Sequence, residues 1–161
     1  MTYLPPNLMR PARLSEVQSP GILLKVGKYG APFLVVGSAT EEVAIFLGED
    51  HRFQCFPLSK AQNWEGVAVE ELEFELDPDA AVDLGEHRRW PGMMIRRDKT
   101  LNIAVVPGGP FSRGAVEVVV KTDLPPASEH AAIGFSKWRA FVRVDDDRVT
   151  VWECSVELPS E

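Results

Sequence analysis

The feature that most constrains this chain is the alternation of apolar and polar side chains over residues 138–158. One alternating run begins at Trp138, a second run includes Trp152 and Cys154, and the acidic residues 145–147 lie between them. A period of two places successive side chains on opposite faces of a strand. The pattern therefore predicts two half-buried strands joined by an acidic turn, with both tryptophans and Cys154 facing inward.

Short apolar runs of the same kind recur along the chain, and most of its 13 prolines and 12 glycines fall between them. Many short strands separated by turn residues are typical of β-sandwiches and β-barrels. We therefore expect a mostly β fold, an antiparallel β-sandwich or barrel of about eight to ten short strands with at most one or two short helices. Residues 39–47 fit either a strand or a helix, and their β-branched and aromatic content favours a strand.

Three segments give more detailed predictions. In residues 67–76 the alternation shifts by one residue, which predicts a β-bulge within one strand whose glutamates face solvent. Residues 77–85 are predicted to be a loop with at most a short helical turn. Residues 128–134 are predicted to form one short helix capped by Ser128.

A length of 161 residues fits one domain. Residues 1–20 contain four prolines and predict an extended arm that lies across the body or reaches a neighbouring subunit. Residues 21–161 are predicted to form a single β domain.

Charge and composition exclude several classes of protein. A net charge of −7 disfavours binding to nucleic acid or to anionic membranes. No apolar run approaches the roughly 18 residues of a membrane span, and the first residues do not resemble a secretory signal. We expect a cytoplasmic protein in which Cys55 and Cys154 are reduced and buried.

The common motifs of catalysis and metal binding do not occur. The glycines of residues 108–114 lack the Lys-Ser/Thr of a phosphate-binding loop, and no Gly-x-Ser-x-Gly elbow is present. His51, His87 and His130 do not have the spacing of paired metal ligands on one element, and the acidic turn lacks the rest of a calcium loop. The sequence predicts no catalytic residue, no metal and no cofactor.

The stretch from His87 to Lys99 is unusually basic, with five Lys or Arg in thirteen residues of an acidic protein. Guanidinium groups beside an indole suit anion binding and stacking. The alternative is a solvated loop whose arginines pair with the acids of residues 71–77. The candidate residues for ligand or partner binding are Arg88, Arg89, Trp90, Arg96, Arg97 and Trp64.

Three functions fit these observations. The first is a noncatalytic protein-interaction domain of the accessory, assembly or immunity type, which binds another protein or a second copy of itself. The second is a β-barrel or sandwich that binds a small anionic ligand, with Trp90 and the arginines at its mouth. The third is an enzyme without a recognisable motif. A flat exposed apolar patch would favour the first and an apolar cavity with convergent polar groups the second.

Overall fold

The computed structural model describes residues 3–25, 32–38, 41–49, 51–60, 64–85, 88–108, 114–127 and 132–158. These residues form fourteen strands and four short 3-10 helices, which confirms the predicted mostly β class with more strands than expected. The helices are Pro6–Leu8, Leu14–Glu16, Leu58–Lys60 and Pro78–Ala80. The strands are β1 (Arg10–Arg13), β2 (Gly21–Lys25), β3 (Phe33–Ser38), β4 (Glu41–Phe46), β5 (Gln54–Pro57), β6 (Glu65–Val69), β7 (Glu73–Leu76), β8 (Ala81–Asp83), β9 (Met94–Arg96), β10 (Leu101–Pro107), β11 (Val116–Lys121), β12 (Ile133–Phe135), β13 (Lys137–Val144) and β14 (Asp147–Ser155).

The strands assemble into two sheets. The large sheet has the order β1-β6-β2-β3-β4-β5-β10-β9-β12-β8, with β11 on the other edge of β10, and the small sheet has the order β14-β13-β7. Within the described residues the β5–β10 pair is parallel and the other pairs are antiparallel. Neither sheet closes on itself, so the architecture is that of a β-sandwich and not of a closed barrel.

The main core lies between the two sheets. Leu34, Ile45 and Ile103 contribute to it from the large sheet, and Trp138 and Cys154 from the small sheet. The alternation predicted for the terminal hairpin is confirmed, because Trp138 and Cys154 are buried and Trp152 packs against the core while partly exposed. Both cysteines are free and buried, as expected.

A second apolar layer covers the outer face of the large sheet, which is the face turned away from the small sheet. Phe33, Val35 and Ala44 belong to this layer, and Leu14 and Val17 of the N-terminal segment pack over it. The central strands are thus buried on both faces, which explains the uninterrupted apolar run of residues 33–36. Strand β1 pairs with β6, so part of the segment predicted as an arm adds a strand to the sheet. The division of the chain at residue 20 stays a prediction.

The bulge predicted within residues 67–76 is wrong. The segment forms two strands, β6 in the large sheet and β7 in the small sheet, and Glu71 between them has a φ of 58°. A chain that crosses from one sheet to the other changes its side-chain parity just as a bulge does. Glu73 and Glu75 do lie on an edge strand, where they form ion pairs with arginines of β13 and β14.

Three other local predictions have different outcomes. Residues 41–46 are a strand, as favoured. The loop predicted over residues 77–85 contains a short helical turn, as allowed, at Pro78–Ala80. The prediction is wrong at strand β8, which is too short to show alternation in the sequence. A short helix was predicted at residues 128–134. Residues 128–131 lie outside the described residues, and Ile133 begins strand β12.

Gly92 joins the two sheets. A Cβ atom on this residue would lie 2.3 Å from Cε2 of Phe53, and its φ of 93° is one that L residues rarely adopt. Its carbonyl oxygen accepts a hydrogen bond of 2.7 Å from Nε1 of Trp138 in the small sheet. The absence of a side chain at residue 92 therefore lets three separate segments meet.

We predict that Gly92→Ala destabilises the protein strongly, because the new methyl group must displace the Phe53 ring as well as strain the backbone. We expect a loss of roughly 3 kcal/mol in the free energy of unfolding, measured by urea denaturation. Gly114→Ala is the matched control, since Gly114 has a φ of 73° but no atom of the described residues lies within 4 Å of the position that a Cβ atom would take there. We expect that control to lose about 1 kcal/mol. Equal losses would show that the contact with Phe53 contributes nothing.

Candidate functional site

The basic stretch is organised around a carboxylate that was not among the predicted site residues, that of Glu117 on β11. The predicted hairpin of residues 93–105 is confirmed, with β9 pairing antiparallel to β10. Arg97 follows β9, and its Nη2 lies 2.6 Å from Oε2 of Glu117. Nη1 of Arg89 lies 2.8 Å from the same oxygen, and Nδ2 of Asn102 donates to Oε1 over 3.2 Å. We call these four residues the Glu117 cluster.

The electrostatics of the Glu117 cluster keep its carboxylate ionised. Burial alone raises the pKa of Glu117, but hydrogen bonds from Arg97, Arg89 and Asn102 outweigh it and hold the pKa at about 2. The carboxylate in turn raises the pKa of Arg97. The Asn102 Oδ1 atom is buried and has no hydrogen-bond partner among the described residues. Donation from Nδ2 to Glu117 therefore determines the orientation of this amide.

The remaining candidates are dispersed. Arg96 donates to the backbone carbonyls of Arg97, Asp98 and Pro125. Arg88 is exposed and forms no ion pair within the described part of the chain. The half-buried Trp90 packs against a small cluster that includes Met93, Ile95 and Ala104.

The alternative partner predicted for the arginines is wrong. The acids of β7 pair with Arg139, Arg143 and Arg148 of the small sheet and not with the basic stretch. The structure unites Arg89 and Arg97 through Glu117 and leaves Trp64 in a different cluster. Assignment of the six residues as a binding site stays a prediction.

Trp64 belongs to an incompletely covered part of the outer apolar layer. Its ring stacks on Phe33 with centroids 4.9 Å apart, and Phe46 and Phe56 lie around the same buried ring. Phe46, Phe56, Trp64 and the adjacent Leu58 are each partly exposed. We call these four side chains the outer patch.

A depression of about 510 Å³ lies next to the outer patch and is lined by Leu58 and Pro57 together with Glu41 and Glu42. The other lining residues that the structure describes are serines, so no cation opposes the two carboxylates there. The outer patch therefore combines an apolar surface with an acidic hollow.

A second opening lies where β3, β4, β5, β10 and β11 come to the same end of the large sheet. This mouth cleft has a volume of about 640 Å³. Its walls include Val43, Cys55 and the first residues of β11, and Glu41, Lys60 and Glu117 contribute charged groups. Val116 is 41% exposed, which is unusual for a large apolar side chain in this structure. Trp90 lines neither this cleft nor the acidic depression.

Neither a metal-ligand cluster nor a membrane-spanning helix occurs in the described residues. In that part of the chain, no three His, Cys, Asp or Glu side chains are grouped to hold a metal ion. His51 is exposed with its ring 6.3 Å from that of Phe46, while His87 and His130 lie outside the described residues. No helix in the described ranges has the length and apolarity needed to cross a membrane.

These features define an all-β protein of two open sheets with two incompletely covered apolar surfaces. The chain belongs to the family described as "Uncharacterised protein y4lG", whose sequence model matches residues 11–161. It is similar to the "Uncharacterized protein y4lG" of Sinorhizobium fredii (strain NBRC 101917 / NGR234), with 26% identity over 136 residues that cover 84% of this chain and 83% of the relative. No solved structure matches the chain.

We predict that Glu117→Gln lowers the free energy of unfolding by about 1–2 kcal/mol at neutral pH, because two guanidinium groups lose a charged partner. The folded-state pKa of Glu117, about 2, lies below the ordinary value of 4.5. The stabilisation is therefore complete above pH 4.5 and is lost as the pH falls toward about 2, so the difference between wild type and variant should shrink over that range.

The matched control for this experiment is Glu75→Gln. Glu75 also accepts hydrogen bonds from two arginines, but its side chain is 25% exposed against 14% for Glu117. We expect a smaller loss of stability because more exposed ion pairs are weaker. Urea denaturation at several pH values checks both variants, and a Glu117→Gln difference that stays constant with pH would contradict this account.

Proposed function

We propose that this protein is a noncatalytic protein-interaction domain that binds another protein through the outer patch. The observation that supports the proposal is the incomplete second layer on the large sheet. Leu14 and Val17 cover one part of this layer, whereas Phe46, Phe56, Leu58 and Trp64 remain partly exposed beside it. Aromatic side chains in such surfaces supply much of the binding energy of protein interfaces.

The charges around the outer patch indicate the chemistry of the partner. Glu41 and Glu42 line the depression beside Leu58, and neither forms an ion pair within the described residues. An apolar partner surface that carries Lys or Arg beside it is therefore complementary to this site. A second copy would bring the same carboxylates to the interface and the same net charge of −7, so electrostatics favour a different protein over self-association.

A cytoplasmic location belongs to the same proposal. Two free, buried thiols are the usual state of cysteine in a reducing compartment, which supports it. Localisation of a fluorescently tagged full chain would test this point.

We predict that Leu58→Gln and Glu42→Gln each weaken partner binding about tenfold, the first by removing apolar contact and the second by removing a charge. The partner is identified by affinity purification on immobilised wild-type protein and is then purified, and its dissociation constant is measured by calorimetry at low and high salt. Glu42→Gln should reduce the salt dependence of binding, whereas Leu58→Gln should leave it unchanged.

The matched control is Val116→Gln, which makes a similar change at an exposed apolar side chain that does not belong to the outer patch and should leave affinity unchanged. Unchanged affinity in both patch variants would refute the proposal. Light scattering adds a second criterion. If the purified chain forms a dimer and Leu58→Gln dissociates it, the partner is a second copy of the chain.

A further inference from the structure

We propose that the mouth cleft binds a small molecule with an apolar body and a single negative charge, such as a medium-chain carboxylate. The cleft adjoins the outer patch: Phe56 of the patch also lines the cleft, and Glu41 and Pro57 line both the cleft and the acidic depression. Val43 and Cys55, which line the cleft, pack into the core between the sheets, whereas Phe46 and Trp64 belong to the layer on the opposite face. Lys60 and Val116 line the cleft but not the depression, and Leu58 and Glu42 line the depression but not the cleft, so variants at these residues test the two sites separately.

The shape and walls of the cleft fit an apolar body. A volume of about 640 Å³ lies within the usual range of ligand pockets, roughly 300–1,000 Å³. Valine side chains from β4 and β11 line it, together with Pro57 and Pro107. Val116 remains 41% exposed at the opening, although a β-branched side chain of this size is usually covered. Burial of a hydrocarbon chain here removes apolar surface of both ligand and protein from water.

The charged groups of the cleft select the head group of the ligand. Lys60 alone among the described lining residues is a cation, and it has no ion pair within the described part of the chain. Glu117 does not repel an anion from the cleft, because the two positive charges of Arg89 and Arg97 exceed its single negative charge. The ammonium group of Lys60 is thus available to a carboxylate of the ligand.

Glu41 limits the total charge of the ligand. Its carboxylate also lines the cleft and forms no ion pair within the described residues. It repels a second negative charge, so a monoanion fits this site better than a dianion such as a phosphate monoester. Burial raises the pKa of the Cys55 thiol, and the negative charge of Glu41 adds a smaller increase. Glu41 is therefore close enough to influence the interior of the cleft.

The first experiment uses anilinonaphthalene sulfonate, a fluorescent apolar monoanion, with the full chain. We expect saturable binding of this probe. Decanoate should displace it more effectively than decanol or decylamine, which have the same hydrocarbon chain. Lys60→Gln should weaken decanoate binding about tenfold and change decanol binding little, because only the carboxylate loses a charged partner. Val116→Gln should weaken both, and Leu58→Gln in the outer patch should weaken neither.

A second measurement locates the ligand. In a Cys154→Ser background the remaining thiol, Cys55, lines the cleft, so saturating decanoate should slow its alkylation several-fold. Val116→Ser provides a milder variant if Val116→Gln lowers the melting temperature. Absence of saturable probe binding would overturn the proposal. So would displacement of the probe by decylamine more effectively than by decanoate, or a rate of Cys55 alkylation that decanoate leaves unchanged. None of these results depends on whether the outer patch binds a protein.

Discussion

The Phe53 ring packs on the bare backbone of Gly92 at the point where Trp138 of the small sheet bonds to the large sheet. Phe53 itself has a φ of 65°, an unfavourable conformation for an aromatic residue. Backbone hydrogen bonds compensate for this strain: its N–H donates to Phe46 over 2.7 Å, and its carbonyl accepts from Val106 over 2.9 Å. The turn before β5 is thereby held on β10, and Trp138 attaches the small sheet to the same glycine.

This arrangement explains why the mouth cleft exists. The bond from Val106 to Phe53 continues into the parallel pairing of β10 with β5, so both strands end at the same side of the sheet. Strand β11 returns antiparallel to β10 and contacts β3 without forming a ladder with it. A sheet that curls in this way without closing brings five strand ends together and leaves space between them. Within the described residues, the opening follows from the arrangement of these five strand ends.

The sequence predicted those features that depend on local periodicity. The strands on either side of residues 145–146 were recognisable because one face of each is buried and the other exposed. The crossing after β6 was misread because a bulge and a change of sheet give the same parity shift, and only pairing with β13 distinguishes them. Glu117 was missed because its partners lie 20 and 28 residues away in the chain. A single acid within the valine-rich strand β11, opposite a basic hairpin, was the available signal.

The ambiguity of residues 42–47 has a related physical cause. Val43 and Ile45 point into the core between the sheets, whereas Ala44 and Phe46 point into the outer layer. A strand that supplies apolar side chains to two layers loses the polar–apolar alternation that identifies a half-buried strand, and a short apolar run then resembles a buried helix. The same double role places β4 beside both the outer patch and the mouth cleft. The part of the sequence with the least distinct pattern is therefore the part that both proposed binding surfaces share.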